Sequence, residues 1–264
     1  MSRRQLALAI IVALGAAALV GVLFVPPIAQ SLDYHRFADT GACLGIPNFW
    51  NVVSNAPFLA VGVLGVVEVR TARYRGGLQS LRLAYGVFFA GVAAVSFGSG
   101  YYHWAPSNDT LAWDRLPMAI AFMAFLSIVI AEHFDERVGR ALLWPFVAIG
   151  VASVLYWDYS EAIGRGDLRP YALVQFLSLI IIALIWGMVP SKLDRIGYLW
   201  AMFGGYALAK VLEEFDATVY ASLGGYMSGH ALKHIAAAAG MFCFVLALRR
   251  RSVVGASATI SDRQ

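Results

Sequence analysis

Five side chains in this sequence have the types and spacing for hydrolytic chemistry. His230 and His234 stand four residues apart at the start of the last hydrophobic segment. On a helix their imidazoles lie one turn above each other on the same face. Ile235 to Leu248 behind them is almost wholly apolar, which puts the pair near a membrane surface. Ionisable groups at that depth are costly, and the first expectation is a functional site with partners elsewhere in the chain. His103 ends another apolar stretch, in Ser99-Gly100-Tyr101-Tyr102-His103, and Asp114 opens the next. Three imidazoles and an open position suit a catalytic zinc, which takes three protein ligands and water. Such a metal acidifies its water and polarises a carbonyl. The helix carries no Glu beside His230, so this is not the His-Glu-x-x-His arrangement of metalloproteases, and a base must come from elsewhere. Asp114 is the carboxylate at the right level. Ser99, one turn before His103 on the same face, has a hydroxyl able to orient the water or donate to a developing oxyanion. Plainer roles stay open: hydrogen-bonded buried histidines, Asp114 as a helix-start carboxylate or the holder of a histidine tautomer, and Ser99 as a packing residue between Gly98 and Gly100.

The elements that must hold these residues follow from composition. Of 264 residues 60% are hydrophobic and 14% charged, and the mean hydropathy is +0.68. Soluble domains carry about a quarter charged residues, so the fold class is all-α, a polytopic membrane helical bundle. Eight apolar stretches have spanning length, near 5–25, 50–69, 82–103, 114–132, 138–157, 171–190, 196–214 and 230–248. They divide into a seven-helix core over 31–250 and one additional helix within 1–30, with a disordered cytoplasmic tail over 251–264. The first stretch is a signal anchor or retained helix, because its apolar core is long and Pro26-Pro27-Ile28-Ala29 makes a poor cleavage site.

Positive charge sets the orientation. With the amino terminus cytoplasmic, fourteen basic residues fall inside: Arg3, Arg4, Arg70, Arg73, Arg75, Arg82, Arg137, Arg140, Lys192, Arg195, Arg249, Arg250, Arg251 and Arg263. Only Arg36, Arg115, Arg165 and Arg169 fall outside, with Lys210 and Lys233 buried near that face. The net charge of +4 is thereby a membrane signal and not a nucleic-acid one. This orientation brings His103, Asp114, His230 and His234 to the same depth on the outer side. Several neighbours take structural readings. Lys210 and Glu214 have ion-pair spacing beside Glu213 and Asp216. Asp158, Glu161, Arg165 and Asp167 form a solvated loop, and His35 and His133 are surface residues. Pro117 sits in the first helical turn, where a missing N–H is tolerated. Asn51, Ser54 and Asn55 face the same outer side and either hydrogen-bond groups surrounding the site or pack helices. Cys43 and Cys243 are too differently placed to pair.

Ser99-x-x-x-His103, Asp114 within Thr110-Leu111-Ala112-Trp113-Asp114-Arg115-Leu116-Pro117-Met118, and His230-x-x-x-His234 together resemble the alkaline ceramidase family. That family sits in the wider CREST group with adiponectin-receptor-like and glycolipid-remodelling proteins. Asn48-Phe49-Trp50-Asn51-Val52-Val53-Ser54-Asn55 is similar to the start of its first core helix, and the resemblance covers about 33–250. It implies a seven-helix core with zinc on His103, His230 and His234, proton transfer by Asp114, and a water-positioning or oxyanion role for Ser99. The implied reaction is hydrolysis of the amide bond of ceramide. Some members also hold calcium in the acidic stretch before the first core helix. Here that stretch reads Asp33-Tyr34-His35-Arg36-Phe37-Ala38-Asp39, and two aspartates beside an arginine are a thin start for a Ca2+ ion wanting six to eight oxygens.

The expectation is therefore a zinc-dependent intramembrane amidase whose partner is a ceramide-like membrane lipid. It would lie in a bacterial inner membrane with both termini cytoplasmic and the site near the periplasmic face. Two alternatives stand beside it: the same zinc chemistry on another N-acyl lipid, and a seven-helix receptor or regulator with structural zinc. A transporter fits less well, since the charges gather at one face and form no relay across the bilayer.

Overall fold

The computed structural model describes residues 1–71 and 76–254. Arg73, Arg75 and Arg263 of the basic set, and residues 255–264 of the expected tail, lie outside them. The helices in chain order are α1 (Arg3–Gly21), α2 (Phe49–Val53), α3 (Ala56–Arg70), α4 (Arg82–Trp104), α5 (Asn108–His133), α6 (Glu136–Ala162), α7 (Arg169–Ala172), α8 (Ser178–Met188), α9 (Gly197–Glu214), α10 (Asp216–Ser222) and α11 (Gly229–Arg250). Among the described residues there is no β-strand. Seven spans are long and apolar enough to cross a membrane: α1, α2 with α3, α4, α5, α6, α7 through α8, and α11. The chain is a polytopic helical bundle. The eighth expected span, α9, has the length but carries Lys210, Glu213 and Glu214 in its last turns, and falls outside that set. It nevertheless packs along α11, where Gly205 and Gly240 bring the two backbones into contact.

The bundle is built around α5. Ala119, Ala124, Ala131, Leu111, Ile128 and Val129 are buried on all its sides, as expected of a helix that is apolar all round. α4 and α6 flank it, and α3 packs on the far side of α4 through Gly62 and Gly65, which face Ala93 and Phe89. By contrast α1 buries only Ala7, so its apolar surface is left for lipid. What ties it down is the segment that follows, where the Arg169 guanidinium grips the carbonyls of Val22 and Val25.

α5 begins at Asn108 instead of near residue 114, because Ser107 and Thr110 form a reciprocal cap ahead of it. Pro117 consequently lies inside the helix and not in its first turn. Its missing N–H leaves the Trp113 carbonyl without an intrahelical donor. Gly98 on α4 sits directly against that oxygen, where a Cβ would overlap it. The two backbones can meet there only because both groups are absent.

The end of the bundle remote from the histidines is closed by a buried ion pair. Arg251 Nη2 lies 2.6 Å from Glu132 Oε2, and both side chains are fully buried. Glu132 also accepts from the Tyr85 hydroxyl, while Arg251 Nε donates to the Asp194 carbonyl. Arg251–Val254 are thus held against the bundle, where the sequence suggests a tail: Asp194 N bonds the Ser252 carbonyl, and Val254 N the Lys192 carbonyl. His133, expected at the surface, is fully buried and bonds the Val129 carbonyl through Nδ1 at 3.1 Å. The last turn of α5 is roofed by the 189–196 connection and by Arg251, which sequence spacing cannot show.

Removing one partner of such a pair strands a charge in a dry site, at a cost of about 3–5 kcal/mol. Arg251→Ala should therefore lower unfolding stability in detergent by about that amount, and adding Glu132→Gln should recover much of it. Unfolding curves that superimpose on those of the unaltered protein would refute this role.

Candidate metal centre and active site

Three local structures deliver the histidines. α4 ends one residue after His103, whose carbonyl accepts a 2.9 Å bond from Asn48 Nδ2. Asn48 has a left-handed backbone (φ +47°), a conformation asparagine tolerates, and it turns the chain into α2 beside that carbonyl. α11 starts at Gly229 behind the Ser228 cap, so His230 and His234 occupy its first two turns. Gly229 allows this start to rest on the Leu212 carbonyl of α9. Asp216 then fastens the junction, accepting from His230 N at 2.7 Å and from Ala38 N at 2.9 Å.

The result is a trio of buried imidazoles with one ligand atom each, all within 4.8 Å of one another. His103 Nε2 and His230 Nε2 lie 3.3 Å apart. Ser54 Oγ and His234 Nδ1 share a 2.8 Å hydrogen bond, leaving Nε2 of that ring for the cluster. His103 Nδ1 is buried without a partner, so its ring has only the cluster to bond. Phe37 covers the group, with its ring centroid 4.8 Å from that of His103 and 4.6 Å from that of His230. Three neutral nitrogen donors in an apolar shell fit a borderline-soft divalent ion such as zinc, with room for a non-protein ligand.

Asp114 and Ser99 lie near each other across the α4–α5 contact. The meeting of Gly98 and Trp113, the residues just before them, sets that approach. Ser99 is buried, and Asp114 is partly exposed to a cavity of about 320 Å³. His234, Ser99 and Asp114 line one end of this cavity, and Phe125, Ile182, Met202 and Met241 line its depth. A break in helical regularity adjoins it: residues Leu173–Leu177 form a π-turn between α7 and α8. Gln175 from that turn donates to the Tyr206 hydroxyl of α9 at 2.9 Å. Such turns are frequent at functional sites.

Of the five side chains expected to carry the chemistry, Ser99, Asp114 and His234 line one end of the cavity, and His103 and His230 gather with His234. The surroundings depart from expectation at three points. Lys210 pairs with Glu213 and not with Glu214, because Lys233 from α11 pairs with the same carboxylate and draws it inward. The 158–167 region is anchored and not a solvated loop. Glu161 accepts from Trp157 Nε1, Gln30 N and Asn108 Nδ2, while Asp167 is buried against Arg169. Hydrogen bonds from Arg169 hold the Asp167 carboxyl below its ordinary range. His35 is half-buried, bonded to the Tyr102 hydroxyl and Asn108 Oδ1. Of Asn51, Ser54 and Asn55, only Ser54 bonds a histidine; the two asparagine amides bond the carbonyls of Asp39, Asn51 and Val52. In the acidic stretch, Asp33 pairs with exposed Arg36, while Asp39 is buried and accepts from Gly41 N. Among the described residues the His103, His230 and His234 group is the one gathering of three or more His, Cys, Asp or Glu ligands. Sequence reasoning missed Phe37 and Tyr34, which come from an irregular segment with no periodicity to place them.

A family model described as Ceramidase matches residues 44–257. The match takes in Ser99, His103, Asp114, His230 and His234 and leaves out α1 and the segment that carries Tyr34 and Phe37. No curated protein matches the chain.

The Ser54 bond gives a test of the metal centre that does not depend on turnover. Loss of a bond that orients a ligating histidine costs about 10- to 100-fold in metal affinity. Ser54→Ala should weaken zinc binding by that factor in a chelator competition assay, and His230→Ala should abolish it. Equal affinity in all three proteins would rule out a metal at this position.

Proposed function

This chain belongs to the ceramidase family, and from that premise we propose a zinc-dependent intramembrane hydrolase that cleaves the amide bond of a ceramide-type lipid to a long-chain base and a fatty acid. One observation supports it most: three buried imidazoles converge where Ser99 and Asp114 face the same largely apolar cavity. His103, His230 and His234 would hold the metal, which when bound would polarise the amide carbonyl and acidify a water molecule.

The chain's own residues account for the remaining work. The apolar depth of the cavity takes the acyl chain and keeps bulk water from the amide. Asp114 accepts the proton of the attacking water as its oxygen bonds the carbonyl carbon. It returns a proton to the nitrogen as the C–N bond breaks, so one carboxyl serves as base and then as acid. Ser99, near the carboxylate across the α4–α5 contact, would donate to it and hold it in register. Ser54 fixes the tautomer of His234, and Phe37 covers the centre. The lipid reaches the cavity between α8 and α9, where Gln175 and Tyr206 bridge one level and the rings of Trp186, Trp200 and Phe203 another. We place the chain in a bacterial inner membrane, with the histidine end of the bundle toward the periplasm. The distribution of arginines and lysines supports that orientation.

The receptor alternative requires a closed, four-ligand zinc site. The ligand group gathered among the described residues has three members, which favours the hydrolase. Asp114→Asn separates the two readings. It should keep full zinc content while lowering turnover of N-oleoylsphingosine by about 10²- to 10⁴-fold, as expected for loss of a general base. Zinc content falling with the substitution would make Asp114 a ligand and defeat this mechanism.

A further inference from the structure

Arg115, next to Asp114 on α5, is the charged group near the site that the hydrolytic mechanism leaves without a task. It is buried, only 7% exposed, and lines the same cavity as Asp114, Ser99 and His234. Nη2 donates to Gln30 Oε1 at 2.6 Å, whereas Nη1 is buried with no partner. Among the described residues Arg115 belongs to no ion pair. Of the nearby carboxylates, Glu213 is committed to Lys210 and Lys233 and Asp167 to Arg169, while Asp114 acts on Arg115 and Lys233 only through space, with no ion pair to either among the described residues. Counted by side chain, the cavity lining holds three cations, Arg115, Lys210 and Lys233, against Asp114 and Glu213.

Three aromatic rings surround the guanidinium: Trp157 at 4.1 Å from the ring centroid, Tyr171 at 4.9 Å and Tyr34 at 5.8 Å. Rings stabilise the cation through its faces and fix its plane, but they accept none of its N–H bonds. A planar donor fork so held, with one neutral acceptor, matches a carboxylate or phosphate. In an apolar bundle an unmatched charge is retained where a ligand completes it. We infer that Arg115 binds an anionic group, carboxylate or phosphate, on the amine half of the lipid amide that this cavity takes. The inference rests on the amidase reading and narrows its substrate class. The acyl chain lies toward Ile182 and Met241, and the amine half lies toward α6 and α7, where Trp157 and Tyr171 hold the guanidinium.

The test uses the full chain in a neutral maltoside detergent and three probes: N-oleoylglycine, ceramide 1-phosphate and neutral N-oleoylsphingosine. Binding to metal-stripped protein is followed by tryptophan emission, to which Trp157 beside the guanidinium contributes. At least one anionic probe should bind about tenfold or more tightly than the neutral lipid, the scale of a charge-assisted hydrogen bond. Which anion gains tells a carboxylate from a phosphate headgroup. Arg115→Gln should bring the ratio close to one, and Arg115→Lys, which keeps the charge without the fork, should keep part of it. Equal binding of all three probes to the unaltered protein overturns the inference, whether or not the glutamine variant folds. So does an undiminished preference in a variant that elutes like the unaltered protein. Hydrolysis by the zinc-loaded protein is scored separately. A preference that depends on Arg115 with no amide cleaved refutes the amidase and leaves the anion site standing.

Discussion

A missing N–H and a missing Cβ fall at the same point in this bundle, and the candidate site is built outward from that coincidence. Pro117 leaves the Trp113 carbonyl without a donor, and Gly98 lets the α4 backbone come up against it. An amide N–H at 117 would return that oxygen to the α5 ladder, and a methyl group at 98 would push the helices apart. Ser99 and Asp114, each the next residue along, are thereby brought near each other. The position of His103 follows from the same contact, because it lies one turn beyond Ser99 on α4. Asp114 and His103 are thus set relative to one another by backbone contact between two long helices.

The chemistry was more legible in the sequence than its surroundings, for a physical reason. A histidine or aspartate in an apolar run stands out because the membrane penalises it, and helical spacing then tells which face it shares. His103, Asp114, His230 and His234 could be aligned in depth because spans of fixed length alternate in direction. Lateral neighbours are a different matter. That Lys233 would reach Glu213 and turn it away from Glu214's place depends on how α9 and α11 are rotated against each other. Periodicity does not carry that rotation. Likewise Gln30, Tyr34 and Phe37 reach the site along an irregular path whose course is decided by the groups it ends on. The expected solvated loop failed in the same way at Glu161, which accepts from Gln30 N 131 positions away, and so did the expected surface site of His133, whose neighbour Glu132 is covered by Lys192 and Arg251.

The two ends of the bundle deal with buried polarity in opposite ways. At one end Glu132 and Arg251 satisfy each other, with Tyr85 and the Asp194 carbonyl taking further bonds, so the ion pair is closed even though His133 Nε2 beside it is buried without a hydrogen-bond partner among the described residues. At the other, three imidazoles, an arginine and an aspartate are held close together with bonding capacity left over. A closed network stabilises a fold, whereas an open one is strained until something completes it. The stability of the first allows the second to remain incomplete.

The buried pair at the closed end also bears on how the chain is made. Glu132 and Arg251 are 119 positions apart. A ribosome adding ~5–20 residues per second takes roughly 6–24 s to cover that interval. During that time α5 is already in the bilayer with its carboxylate uncompensated, while α6 through α11 are still being delivered. The residue that quiets Glu132 comes just after α11, so closure of the bundle awaits the emergence of α11 and Arg251. A nascent chain released before Arg251 would carry an exposed intramembrane acid, which membrane quality control could recognise as unfinished.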